Sequence, residues 1–188
     1  MSVPEKSGPG TVWIITGGPG AGKSTVSRAL LQRFEFGLHL AIDDLNDLVV
    51  SGRAYPSLEH PPEAARQFAL AHTAAAHHAR LYTEAGFEVA IDDVLWPTSI
   101  HALLADLKGS TVRVVLLAPG LETALARNAA RTNKTYDTAT LVPLMEAIHP
   151  SIRPEEYRAH GWTVLDTSGL TLEETVDALL AEQKPKQS

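Results

Sequence analysis

Eight residues constrain this chain more than any others: positions 17–24 read GGPGAGKS. They match G-x-x-x-x-G-K-S/T, and a chance match in 188 residues is on the order of one in a hundred at average glycine usage. Residues 11–16 (TVWIIT) form a short β-branched and aromatic run, which predicts a buried strand before the motif. Residues 24–34 predict a helix after it. A strand, a glycine-rich turn and a helix in that order make a cradle for phosphate. The glycines let successive N–H groups point inward, and the helix start adds the positive end of its dipole. In this reading Gly17, Gly18, Pro19, Gly20, Ala21, Gly22 and Thr25 shape the cradle. The Lys23 ammonium reaches the β- and γ-phosphates, and the Ser24 hydroxyl holds Mg²⁺. The expected ligand is a nucleoside triphosphate with Mg²⁺.

The rest of the chain alternates strand and helix patterns. Residues 36–42, 87–91, 111–118 and 161–166 predict further strands, and 111–118 (TVRVVLLA) is apolar enough to be covered on both faces. Pro61 and Pro62 open the longest helix. Phe68, Ala71, Ala75, Ala79 and Tyr82 give its inner stripe, and Gly86 stops it. Helices are also expected over about 120–131 and 172–183. Such alternation predicts an α/β fold with a parallel sheet and helices on both faces. The whole chain, 1–188, is expected to be one domain, with flexible ends at 1–10 and 184–188. Ligands of such sheets bind beyond the carboxyl ends of the strands.

Those ends carry acids. Asp43-Asp44 and Asp92-Asp93 each follow an apolar strand. Asp92 is the candidate Mg²⁺ carboxylate, with Asp93 as its register alternative. Asp43 is the candidate base: phosphoryl transfer to an alcohol needs a carboxylate to orient the hydroxyl and take its proton. Asp44 stands beside it, so the register can slip by one. Two adjacent acids also disfavour an anionic acceptor, since like charge is costly in a dry cleft. Asp93 and Trp96 are candidates for lining the acceptor site. Arg127 and Arg131 share one helix face, and Asn133 and Lys134 extend the positive cluster. His72, His77 and His78 lack the spacing of a helical metal site. Asn133-Lys134-Thr135-Tyr136 is only half of a guanine-reading motif, with Tyr136 in place of the aspartate, which argues against a GTPase.

Together, residues 17–25 (GGPGAGKST), 40–44 (LAIDD), 89–93 (VAIDD) and the arginine helix resemble the small P-loop kinases, nearest the chloramphenicol phosphotransferase-like group, with shikimate and gluconate kinases more distant. The resemblance implies a P-loop NTPase three-layer sandwich with a five-stranded parallel sheet in order 2-3-1-4-5. It implies a short lid over about 127–138, from which Arg127 and Arg131 would neutralise charge on the transferred phosphoryl. It places Asp43 at the presumed base. It also implies that the loop after the last strand, with Asp166, Thr167, Ser168 and Gly169, borders the adenine.

Sixteen basic against twenty-two acidic residues give a net charge of −6, which argues against a dedicated nucleic-acid binder. No apolar run reaches the roughly 18 residues of a membrane span, the start has no signal-type apolar stretch, and there is no cysteine. The expectation is a cytoplasmic, ATP- and Mg²⁺-dependent phosphotransferase acting on a hydroxyl of a sugar, polyol or antibiotic-like molecule. One alternative is a nucleoside or nucleotide kinase, for which Arg53 and Arg66 are isolated candidate phosphate grips. Another is a nucleotide-switched regulatory ATPase. Nothing in the pattern sets an oligomeric state.

Overall fold

The computed structural model describes residues 8–55, 61–130 and 138–182. The first half of the chain runs β1 (Thr11–Thr16), α1 (Lys23–Leu31), β2 (Gly37–Ala41), α2 (Ile42–Asp47), α3 (Pro62–Glu84) and β3 (Glu88–Asp93). The second half runs α4 (His101–Asp106), β4 (Thr111–Leu117), α5 (Leu121–Ala129), α6 (Val142–Ile148), α7 (Pro154–Ala159), β5 (Thr163–Leu165) and α8 (Leu172–Ala181). All strand pairs are parallel, in the order β2-β3-β1-β4-β5.

The period-two alternation of β1 assigns the faces. Val12 and Ile14 pack into a cluster with Ile91, Leu116, Ala75 of α3 and Leu103 of α4. Trp13 and Ile15 pack the other way, with Ala90, Val115, Leu30 of α1 and Leu179 of α8. Each of these four β1 side chains is at most 1% exposed. Full burial of a side chain this size is worth about 1.5–3 kcal/mol. The sheet is therefore covered on both sides, which is why its strands read as unbroken apolar runs.

α3 begins at Pro62 and ends in a left-handed Gly86 (φ 80°). There Phe87 N–H donates to Tyr82 O (3.0 Å) and Gly86 N–H to Thr83 O (2.8 Å), the two bonds of a Schellman close. Gly10 is buried, and its N–H donates to Thr83 O (3.0 Å), tying the approach to β1 onto the end of α3.

The structure departs from the sequence expectation in four places. First, β2 stops at Ala41, and Asp43 and Asp44 lie in the first turn of α2 rather than at a strand end. Ile42 and Asn46 are buried four residues apart on one stripe, and acids are favoured near the positive helix start. Second, β3 continues through Asp92 and Asp93 instead of ending before them. Third, β5 is only three residues long, bounded by a left-handed Gly161 (φ 78°) and by the turn in which Asp166 accepts from Ser168 N–H (2.9 Å). Fourth, α4, α6 and α7 are additional short helices.

Candidate phosphate-binding and acidic site

The phosphate loop joins β1, the central strand, to α1. Gly20 shows why glycine is required there. Its φ is 79°, and a Cβ would meet Ala124 O at 2.5 Å and Met145 Cε at 2.8 Å. Gly22 caps α1 in the left-handed region (φ 91°). Lys23, the first residue of α1, reaches back over the loop. Its Nζ donates to Gly17 O (2.9 Å) and Gly18 O (3.3 Å), which sets the ammonium at the mouth of the cradle. Ser24 follows it in the first turn of α1, half-buried, and Thr25 is exposed.

The register of β3 separates its two terminal acids. Asp92 pairs with Ile15 and Asp93 with Thr16. Asp92 thus points to the sheet face covered by α1, and Asp93 to the face covered by α3. The hydrogen bonds agree. Asp92 Oδ2 is 2.6 Å from His39 Nε2, and Asp93 Oδ2 is 2.7 Å from His72 Nε2 on α3. Asp93 Oδ1 accepts from Val94 N–H (2.7 Å), so both its oxygens are engaged. Among the described residues, no protein donor reaches Asp92 Oδ1.

Asp43 and Asp44 are both exposed on α2. Trp96 is half-buried against the α3-face core and begins a turn in which its N–H donates to Ser99 Oγ (3.1 Å). The loop carrying it is pinned to β1, since Leu95 N–H donates to Thr16 Oγ1 (2.7 Å).

On the other side of the phosphate loop lies a cavity of about 220 Å³. Gly18, Pro19, Ala118, Leu121, Ile152 and Ser168 are among its lining residues. Arg127 closes this side: Nη1 donates to Thr167 Oγ1 (3.1 Å) and Nη2 to Thr167 O (2.7 Å). Its guanidinium is thereby held against the β5–α8 loop. Thr167 is buried, Ser168 is exposed, and Ser168 Oγ accepts from Gly120 N–H (2.9 Å) at the start of α5. The Ser168 hydroxyl and N–H both donate to Asp166, which holds that carboxyl below the usual carboxylate range. Arg131, Asn133 and Lys134, with most of the expected lid, lie outside the described residues.

The residues fit a nucleotide phosphate chain and a magnesium ion. The loop turns through two left-handed glycines, Gly20 and Gly22, so that its backbone can cradle an anion. Among the described residues, no group of three metal-ligating side chains forms a closed cage. The Asp92 carboxylate and the Ser24 hydroxyl are oxygen donors of the kind Mg²⁺ takes, with waters and phosphate oxygens completing its ligands.

A family model, AAA_33, described as an AAA domain, matches residues 12–146. The chain belongs to this family. It is similar in structure to the Deinococcus radiodurans tunicamycin resistance protein: 20% identity, 92% of this chain and 95% of that one covered, TM-score 0.61. It is also similar to shikimate kinase from Acinetobacter baumannii, solved with shikimate (17% identity, 94% and 93% covered, TM-score 0.60). Thymidylate kinase from Candida albicans is a third such structure (14% identity, 94% and 92% covered, TM-score 0.59). At these identities the likeness is one of P-loop kinase fold, and the acceptors in those names differ. No curated protein matches the chain.

Two residues near the site escaped the sequence reading. His39 is hidden inside the apolar run of β2, and Arg28 reads as an ordinary helix-surface charge. Only the strand register and the packing of α1 bring them to Asp92.

Proposed function

We propose that this AAA_33 protein is an ATP-dependent kinase that transfers the γ-phosphoryl to a hydroxyl of an uncharged or cationic small molecule. One observation carries the reading: the sheet order divides the active edge in two. β1 and its phosphate loop are central, the β4–β5 side holds the cavity beside Arg127 and Thr167, and the β2–β3 side holds the acids. A nucleoside on the first side and an acceptor on the second would place the transferred group between them.

ATP with Mg²⁺ would supply the phosphoryl group and neutralise much of its charge. Lys23 grips the phosphates, and Ser24 and Asp92 hold the metal side. Asp43 orients the acceptor hydroxyl and takes its proton, with Asp44 as its neighbour. Asp93 and Trp96 border the acceptor. Arg127 and Thr167 flank the base, with Ser168 at the rim; Arg131 is the residue from which a lid would reach the phosphoryl.

The geometry supports an alcohol over a nucleotide acceptor, because the arginines on the acceptor side are already engaged. Arg66 donates to both Glu63 oxygens (2.8 and 2.7 Å), and these bonds, with one from Gln67, hold the Glu63 carboxyl down to about 2. Arg53 donates to Asp47 and lies 4.6 Å above the Tyr55 ring.

The test is ADP release across a panel of sugars, polyols, aminoglycosides and other antibiotics, with nucleosides and nucleotides as the competing arm. An uncharged or cationic alcohol should stimulate release, and Lys23→Ala should cut transfer by several orders of magnitude. One such contact is worth about 3–4 kcal/mol in the transition state. Stimulation only by nucleotides, or basal hydrolysis that no acceptor raises, defeats the proposal.

A further inference from the structure

Among the described residues, a histidine holds Asp92. Its Oδ2 is bound by His39, and the two side chains are 7% and 12% exposed. His39 sits on β2 in register with Ala90, on the sheet face that α1 covers. From α1, Arg28 Nε donates to the other ring nitrogen, His39 Nδ1, over 3.3 Å. A nitrogen that accepts from a guanidinium carries no proton, so the ring proton lies on Nε2 and is donated to Asp92. A directed chain of three side chains thus runs from α1 through β2 to β3 and ends on one carboxylate oxygen.

We infer that His39 is a positioning residue for the metal carboxylate: it fixes Asp92 by Oδ2 so that Oδ1 faces the nucleotide's Mg²⁺ or a water on that ion. The inference rests on the proposed role of Asp92. Three features of the geometry support it. The bond is short and nearly dry, so it is strong enough to hold one carboxylate rotamer. Arg28 sets the tautomer, leaving the imidazole one way to bind. And Asp93, whose two oxygens are both taken, sits on the opposite face and offers no equivalent. Partners that hold a metal ligand in place are worth 10- to 100-fold in metal affinity.

A purely structural His39 would affect folding alone, so the deciding readout is the metal-dependent part of nucleotide binding. A fluorescent ADP analogue is titrated with Mg²⁺ and again with EDTA, and the ratio of the two affinities is compared among variants. Asp92→Asn sets the value for a lost ligand. His39→Leu should lower the ratio about tenfold and leave the EDTA affinity unchanged. His39→Gln, whose amide nitrogen can stand near the position of Nε2, should keep the ratio within about threefold of wild type. His39→Leu added to Asp92→Asn should lower it no further. If Asp92→Asn collapses the ratio while His39→Leu leaves it at the wild-type value, the positioning role is overturned and the metal reading stands. If Asp92→Asn itself leaves the ratio unchanged, the metal reading fails, and this inference fails with it. Should His39→Leu give no cooperative melt, His39→Asn replaces it, because its shorter amide falls short of Asp92. Equal ratios for His39→Asn and His39→Gln then overturn the proposal.

Discussion

Asp43 lies in the first turn of a six-residue helix, exposed, directly after the edge strand β2, with β3 between that strand and the phosphate-loop strand β1. A carboxylate there can accept a hydroxyl proton as well as its hydrogen bond. An asparagine oxygen in the same place accepts the hydrogen bond but not the proton at any comparable cost. Asp43→Asn should therefore leave ATP binding nearly intact and slow transfer by about 10²- to 10⁴-fold, the usual worth of general base catalysis. Asp44→Asn should do less. Pre-steady-state transfer and nucleotide titration measure the two quantities separately. If Lys23→Ala stops transfer while neither aspartate variant slows it, the base assignment is wrong, and the acceptor's proton goes to another group. At this scale the sequence showed Asp43 and Asp92 because acids after apolar runs stand out. It concealed His39: the residue lies 53 positions from Asp92 and looks like a polar interruption in a buried strand.

At the scale of elements, β1, the phosphate loop, α3 and β4 were legible, since buried parallel strands are continuous apolar runs and glycine and proline mark the helix ends. α2 was not. An Asp-Asp pair serves equally as a turn or as a helix start, and only the burial of Ile42 and Asn46 chooses the helix. α6 and α7 bury only Met145 and Tyr157 respectively, too little periodicity to read. The coupling of α5 to the β5–α8 loop was equally invisible, because it depends on Arg127 reaching Thr167 forty residues away. That coupling makes a prediction. The guanidinium holds the loop beside the cavity through two bonds, and hydrogen bonds to charged groups are worth about 1.5–3 kcal/mol. Arg127→Ala should weaken ADP binding and raise the KM for ATP roughly tenfold, with kcat changed by less than about threefold. A kcat loss without a binding loss would move Arg127 to the transferred phosphoryl, as the resemblance to small P-loop kinases implies.

For the whole molecule, the order β2-β3-β1-β4-β5 was readable as a consequence of the resemblance, and what stays out of sight in the sequence is how distant parts lock the active edge together. Tyr157 is one such lock. It is 1% exposed, packs edge-on against Trp162 (centroids 5.1 Å apart), and its hydroxyl donates to Leu95 O (3.2 Å). Leu95 is also bound to Thr16 at the end of β1, so one phenol from α7 joins the loop after β3 to the strand that carries the phosphate cradle. Burial first, and the Glu156 charge second, push the Tyr157 hydroxyl up to about 12. The sign of the linkage follows. The unfolded chain releases this proton near pH 10 and the folded chain near pH 12, so the stabilisation is complete below pH 10 and is lost as pH rises from 10 towards 12. Urea midpoints should accordingly fall across that window for the wild-type protein. Tyr157→Phe should cost about 1 kcal/mol at neutral pH, the net worth of one hydrogen bond, and should show a shallower fall above pH 10. Parallel curves for the two proteins between pH 9 and 11.5 would mean that Tyr157 titrates as if exposed, and that the lock joining α7 to the active edge is not held by this buried phenol.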